Sequence, residues 1–127
     1  MFKVSFYEKR NGESPVRDYL DSLEESSTTN KDARIKKNKI SAHINKLMEL
    51  GTRVGEPVTK HLDKEIWELR PLSDRILYFF FENNTFVLVH HFVKKTQKTP
   101  KREIEQAKRN MVDYIEIKKG EKNGKKD

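Results

Sequence analysis

Two adjacent apolar segments near the middle of the chain restrict its fold more than any other feature. Residues 75–82 read RILYFFFE and residues 85–94 read TFVLVHHFVK, with only Asn83 and Asn84 between them. Runs rich in β-branched and aromatic residues are typical of strands, and an Asn-Asn pair suits a tight hairpin turn. The first run has almost no polar residue, which indicates a strand with both faces covered. The pair therefore predicts a β-hairpin inside a sheet.

Other segments extend this pattern. The N-terminal residues 2–7 and the segment 65–71 both place apolar residues at alternate positions, which is typical of a strand with one apolar face. Residues 52–60 contain a glycine and a proline and are predicted to form a loop. We therefore expect four strands, one at the N-terminus and three in the second half of the chain.

Helical spacing of apolar residues predicts three helices, over residues 14–25, 31–50 and 100–117. The first and third begin with a hydroxyl residue as the N-cap followed by a proline, and the second ends at a glycine, Gly51. The last ten residues, 118–127, read KKGEKNGKKD and predict a basic, disordered tail. The chain is thus predicted to be one domain over 1–117 with a short tail.

The elements follow the order strand, helix, helix, three strands, helix. This order predicts an α+β domain with a mainly antiparallel sheet. We expect the helices to pack on one face of that sheet. The other face would then be partly open, and a ligand could lie there.

The charge of the chain indicates a polyanionic partner. The formal net charge is +7 and the sequence pI is about 9.5. A small basic domain usually meets nucleic acid. The alternatives are a charge that serves only solubility and a membrane surface.

Several classes of protein are excluded or disfavoured. There is no cysteine, which excludes disulfides and thiol chemistry. A metal site is not expected, because the neighbouring His90 and His91 point to opposite faces of a strand. Nucleotide-binding glycine loops and the serine hydrolase motif are absent. With no signal-like segment and no apolar run of roughly 20 residues, we expect a cytoplasmic protein without a membrane segment.

Cations cluster where the predicted strands end. Arg70 ends one strand and Arg75 begins the next, and lysines follow the last strand. Neighbouring strands lie about 4.8 Å apart, so these groups could converge on one phosphate. Each arginine could equally pair with Glu68 or Asp74. The basic side of the second helix is either a solvated surface or an electrostatic contact surface.

The same region resembles a known family. The segments IWELRPLSDRILYFF and FVLVHHFVKKTQKTPKREIEQAKR resemble the phage-related HigB-type branch of the RelE/ParE toxin superfamily. The resemblance is carried by W-E-L-R, by R-x-x-Y and by F-x-K-K-T-x-K-T-P leading into a helix with E-I-x-x-A. It extends from the first strand to Arg109 and implies a RelE-like fold.

The resemblance also implies an activity. RelE-like toxins cut messenger RNA in the ribosomal decoding site, without a metal or cofactor. The ribose 2′-hydroxyl attacks the adjacent phosphodiester, and the 5′-oxygen leaves. This chemistry needs a base, charge stabilisation at the phosphate and an acid. The expected partners are messenger RNA, the ribosome and a helix-turn-helix antitoxin of the HigA type, which alone would contact operator DNA.

Candidate catalytic residues follow from the matching positions. Arg75 matches the phosphate-stabilising arginine of R-x-x-Y, and Arg70 matches the arginine of E-L-R. Lys94 and Lys95 match the basic pair after the last strand, where the family places a charge that steadies the transition state.

The general base stays open. Several relatives have a lysine near the position of Glu68, so the chain departs from the RelE pattern there. Either Glu68 or a histidine could be the base, and strand parity with Lys95 favours His91 over His90. Four further lysines are expected to contact RNA: Lys98, Lys101, Lys37 and Lys39.

Two other functions remain. The superfamily includes ParE-like toxins, which poison DNA gyrase and do not cut RNA. A DNA-binding module is the third interpretation.

Overall fold

The computed structural model describes residues 1–124. Five strands and three helices follow one another along the chain, with a short 3₁₀ turn after the second helix. Their bounds are β1 Lys3–Phe6, α1 Pro15–Ser26, α2 Lys31–Leu50, β2 Thr59–Asp63, β3 Ile66–Leu69, β4 Asp74–Phe81, β5 Thr85–Val93 and α3 Lys101–Gly124. No helix in the described part is long and apolar enough to cross a membrane.

The strands form one sheet in the order β1-β5-β4-β3-β2. β1 runs parallel to β5, and the other three pairings are antiparallel. The predicted α+β fold with a mainly antiparallel sheet is therefore confirmed.

The predicted hairpin joins β4 to β5. Asn83 and Asn84 have φ angles of 58° and 55°, in the left-handed region that tight hairpin connections commonly use, and with Glu82 they form a three-residue connection. Phe81 pairs with Thr85 beside the turn, and a bulge follows where Tyr78 pairs with Leu88. Asparagine tolerates this conformation better than most residues, which explains why the chain turns here.

The helices lie on both faces of the sheet, so the expectation that all pack on one face is wrong. Ile76 and Tyr78 of β4 belong to the core that contains residues of α1 and α2. Leu77 and Phe79 point the other way and pack with Ala107 of α3. A strand that is apolar on both faces needs cover on both, and α3 provides the second cover.

Strand β2 was not predicted: its first two residues belong to the predicted loop 52–60, and the rest lie between that loop and the strand predicted from residue 65. It covers Thr59–Asp63 and pairs with β3 at the edge of the sheet. Its sequence, TKHLD, has no regular apolar alternation, because an edge strand exposes much of its surface. The prediction of four strands is therefore one short.

Helix α3 is longer than predicted. It continues to Gly124, so residues 118–124 of the expected disordered tail are helical. The last three residues of that tail, 125–127, lie outside the described residues. The predicted bounds of α1 and α2 are confirmed to within one residue.

Candidate functional site

A groove of about 700 Å³ opens beside the start of β4. Glu68 pairs with Leu77 across the sheet, and Leu77 packs in the core with α3. The groove therefore lies on the face that α3 covers, between the sheet and the segment that leads into this helix. Seven cations line it, and we call it the basic groove: Lys60, Arg70, Arg75, Lys94, Lys98, Lys101 and Arg102. Among the described residues that line it, Glu68 is the only carboxylate.

The connection between β3 and β4 fixes the two arginines. The backbone N–H of Arg70 donates to the carbonyl of Val58 at 2.9 Å, which holds it beside the edge strand. Nη1 of Arg75 donates to the carbonyls of Leu72 and Asp74, at 2.7 and 2.8 Å. Because two backbone acceptors hold one nitrogen, the guanidinium group of Arg75 has a defined position at the base of the groove.

Glu68 lies between the arginines. It is only 2% exposed, and its Oε1 lies 3.6 Å from Nε of Arg70 and 3.8 Å from Nε of Arg75. Its Oε2 accepts a hydrogen bond from the hydroxyl of Thr99, just before α3. A buried carboxylate is stable when such cations and donors surround it. Both arginines thus pair with Glu68 and line the groove at the same time.

The two arginines differ in their surroundings. Burial lowers the pKa of Arg75, as does the charge of Arg70, whereas Glu68 raises it; an arginine remains a cation in any case. Nε of Arg70 is buried and has no hydrogen-bond acceptor among the described residues. A buried donor without a hydrogen-bond acceptor is costly, and the charge of Glu68, 3.6 Å from this nitrogen, offsets part of that cost.

The lysines after β5 separate into two places. Lys94, Lys98 and Lys101 line the basic groove, as their predicted roles require. Lys95 instead lines a neighbouring depression with Phe92 and Glu103. Both lysines follow the end of β5 at Val93, but they line different depressions, so the structure does not bring them together as one pair.

His91 does not reach the groove, which corrects its grouping with Arg75. It pairs with Ile76 in the sheet, whose side chain lies in the core with α1 and α2. Its Nε2 bonds to the carboxylate of Asp74 at 3.0 Å on that same face. His90, on the other side, bonds to Glu103 of α3 at 2.8 Å. Strand parity correctly placed His90 and His91 on opposite faces of the sheet. It wrongly placed His91 on the face that holds the groove.

Lys37 and Lys39 are also distant from the groove. Both belong to α2, which packs on the opposite face of the sheet. Lys37 forms an ion pair with Glu24 at 2.9 Å, and Lys39 is exposed. They form a separate basic surface.

Among the groove residues that sequence reasoning did not assign to the site, three bear on its charge and geometry. Lys60 was assigned to a loop, whereas β2 places it opposite Glu68. Thr99 was read only as a helix cap, yet its hydroxyl contacts Glu68. Arg102 lines the groove from the first turn of α3. Arg102 could have been found from the sequence, because it directly follows Lys101 in the segment TPKR. Lys60 could not, because its position depends on the pairing of β2, which the sequence did not predict.

Metal-ligand clusters are a further point of comparison. Within residues 1–124, no group of three or more His, Cys, Asp or Glu side chains is arranged to hold a metal ion.

Fold and groove together define a class: small, basic α+β proteins with clustered arginines in a groove at the end of a mainly antiparallel sheet. Residues 18–112 match the family model described as phage derived protein Gp49-like (DUF891). The match covers most of the chain, which therefore belongs to this family, and the family is toxin-like. No curated protein matches the chain.

Proposed function

We propose that this protein is the toxin of a type II toxin–antitoxin system, an endoribonuclease that cleaves messenger RNA on the ribosome. The observation that carries the proposal is the pair of arginines around Glu68 in the basic groove, with Arg70 partly exposed and Arg75 buried. The toxin-like family and the resemblance to HigB-type toxins support it.

The arrangement suits phosphodiester cleavage by the ribose 2′-hydroxyl. Attack on the phosphorus places negative charge on the non-bridging oxygens, and the 5′-oxygen leaves as a new bond to the 2′-oxygen forms. Preorganised donors stabilise such charge most strongly where water is excluded. Arg75 is 6% exposed and fixed by two carbonyls, so it is our choice for this role.

The lysines and Arg70 would hold the RNA. Arg70 lines the groove with a side chain that is 22% exposed, so its guanidinium group is accessible to a phosphate oxygen. Lys94, Lys98 and Lys101 bring further positive charge along the groove, which suits a strand that carries one phosphate per nucleotide. Because the groove lies at a sheet edge, a single strand could follow it.

Glu68 orients the arginines in this proposal. Both of its oxygens already contact donors, Oε1 the two arginines and Oε2 Thr99. Because Glu68 is buried and both of its oxygens are occupied by these donors, neither oxygen is open to a ribose hydroxyl in the groove. The role of general base is therefore left to another group of the complex formed with RNA.

Inhibition by a partner follows from the same surface. A basic toxin needs a neutralising protein in its own cell, and charge complementarity favours an acidic or amphipathic segment. We place the protein in the cytoplasm, in a complex with a helix-turn-helix antitoxin of the HigA type. Operator DNA would be contacted only through that antitoxin.

Replacing Arg75 tests the proposal. Arg75→Ala should fold, bind the antitoxin and lose growth arrest, with RNA cleavage slowed about 100- to 1000-fold. Arg75→Lys should recover little, because a point charge cannot reproduce the planar guanidinium. The measurement is a translation-dependent cleavage assay, with growth and antitoxin co-purification followed in parallel.

Two further variants control for charge and folding. Arg10→Ala removes an arginine that is paired with Asp113, remote from the basic groove, and should keep the wild-type rate. The double variant Glu68→Gln and Arg75→Met removes both buried charges, so it should fold and still be inactive. A folded Arg75→Ala protein that cleaves at the wild-type rate contradicts the proposal, as does a wild-type protein that inhibits gyrase supercoiling and leaves RNA intact.

A further inference from the structure

Behind the basic groove, on the face of the sheet covered by α1 and α2, lies a second polar cluster. The carboxylate of Asp74 is fully buried. Its Oδ1 accepts hydrogen bonds from Tyr19 Oη at 2.7 Å and from His91 Nε2 at 3.0 Å. The rings of Tyr19 and His91 are stacked, with centroids 3.6 Å apart. We call these residues the Tyr19–Asp74–His91 cluster.

The cluster holds its carboxylate in the charged form. Burial alone would raise the pKa of Asp74, but the hydrogen bonds from His91 and Tyr19 hold the pKa below its ordinary value, with help from the charge of Lys36. Lys36 Nζ lies 4.0 Å from Oδ2, which has no hydrogen-bond partner among the described residues. Tyr19 and His91 therefore provide the direct hydrogen bonds that anchor this side chain.

Asp74 also connects the cluster to Arg75. Its own carbonyl accepts from Arg75 Nη1 at 2.8 Å, and its N–H donates to the carbonyl of Pro71 at 3.0 Å. The second carbonyl that holds Arg75 belongs to Leu72, which has a φ of 54°. A β-branched or bulky residue rarely adopts such a conformation, so this turn needs support from its surroundings. Asp74 follows this turn directly, and its side chain is anchored on the far face of the sheet.

We propose that the Tyr19–Asp74–His91 cluster positions Arg75 across the sheet. By anchoring the side chain of Asp74, it fixes the two carbonyls that orient the guanidinium group. Tyr19 and His91 are positioning residues, since neither touches the groove. The proposal rests on the proposed function only for its effect on catalysis, because the orientation of Arg75 can be measured without RNA.

Helix α1 thereby gains a role in the activity. Tyr19 is the contribution of α1 to the cluster, although α1 lies on the opposite face of the sheet from the groove. A displacement of about 1 Å in a positioned catalytic group can cost about 100-fold in rate. A hydrogen bond made by α1 can therefore matter for a reaction that α1 never contacts.

The test uses Tyr19→Phe, which keeps the stacked ring and removes only the hydroxyl. Its matched control is Tyr7→Phe. Tyr7 Oη donates to Asp113 at 2.6 Å, a bond of the same kind that joins the start of the chain to α3. Both variants lose one tyrosine–aspartate hydrogen bond, but only Tyr19 is connected to Arg75.

The first readout is the NMR signal of the Arg75 Nε–H group in the free protein. Tyr19→Phe should shift or broaden this signal, and Tyr7→Phe should leave it unchanged. A signal unmoved by Tyr19→Phe overturns the positioning role, whatever the RNA assays show.

The second readout is single-turnover cleavage of ribosome-bound RNA. Tyr19→Phe should lower the maximal cleavage rate constant about 10- to 100-fold, with the half-saturating protein concentration within about twofold, and Tyr7→Phe should change neither. In an Arg75→Ala background, Tyr19→Phe should cause no further loss, because residues that act through one group are not additive. The same loss in both backgrounds overturns the positioning role.

Failure of the proposed function looks different. Wild-type protein that does not cut RNA, or Arg75→Ala protein that cuts it at full rate, overturns the ribonuclease assignment. The Arg75 signal still decides whether the cluster orients the guanidinium group.

Discussion

Arg75 is a buried cation, and its burial distinguishes it from the lysines that line the same groove. The sequence predicted the proximity of Arg70 and Arg75, because a short connection joins two strands. It could not show that both share Glu68, since that depends on the fully packed face under α3. His91 was misplaced for a related reason. Alternation along a strand separates two faces, but only the packing of the helices tells which face holds the groove.

His43 tests the stability of α2 at the level of one residue. It is 7% exposed, and burial lowers its pKa from 6.5, as do the charges of Lys39 and Lys46, against a hydrogen bond to the carbonyl of Lys39. The unfolded chain therefore binds a proton more readily, and stability is lost as pH falls through the unfolded pKa.

The prediction concerns His43→Leu, which cannot titrate. Between about pH 7.5 and about pH 5.5, the wild type should lose more stability than the variant, as measured by urea unfolding at each pH. If both proteins lose the same amount, the pH dependence arises elsewhere.

At the scale of elements, the local signals were sufficient for the central hairpin and for α2. Asn83 and Asn84 form the turn, and Gly51 ends the helix with a φ of 61°. β2 escaped prediction because an edge strand has little need of buried side chains, and its residues resemble a loop. The length of α3 was underestimated because a lysine-rich segment at the end of a chain is typical of a disordered tail. Such a segment can nevertheless continue a helix that has already formed.

Gly51 is the element boundary with the strongest steric requirement. A Cβ there would lie 2.1 Å from Cε2 of Phe2, and the φ of 61° already disfavours other residues. Gly51→Ala should cost about 1–3 kcal/mol in the free energy of unfolding. Gly55→Ala is the control, because a Cβ at Gly55 meets nothing within 4 Å. Denaturant unfolding of the two variants measures the difference, and equal stabilities would show that Phe2 moves away freely.

At the scale of the whole molecule, two basic surfaces lie on opposite faces of the sheet, the basic groove and the lysines of α2. The composition predicted a polyanionic partner but not which surface meets it. RNA bound in the basic groove should show a steep salt dependence, because each phosphate contact on a single strand contributes about −0.7 to the slope of log K against log salt.

Salt titrations of two variants distinguish the surfaces. Lys98→Met, in the groove, should reduce the steepness of the slope by about 0.7. Lys39→Met, on α2, should leave the slope of RNA binding unchanged. Equal changes in slope for the two variants would show that α2 also contacts RNA. RNA binding by the wild type that does not change with salt would contradict a polyanionic partner.

The most direct test of the ribonuclease assignment is the chemistry at the cut ends of the RNA. Purified protein is added to translating ribosomes carrying a defined messenger, and the products are compared with those of the same messenger bearing a 2′-O-methyl group at the cleaved nucleotide. We predict fragments with a 2′,3′-cyclic phosphate and a 5′-hydroxyl from the unmodified RNA, and intact modified RNA. Cleavage of the methylated messenger at an undiminished rate would contradict attack by the 2′-hydroxyl, and an unmodified messenger left intact would contradict the assignment as a ribonuclease.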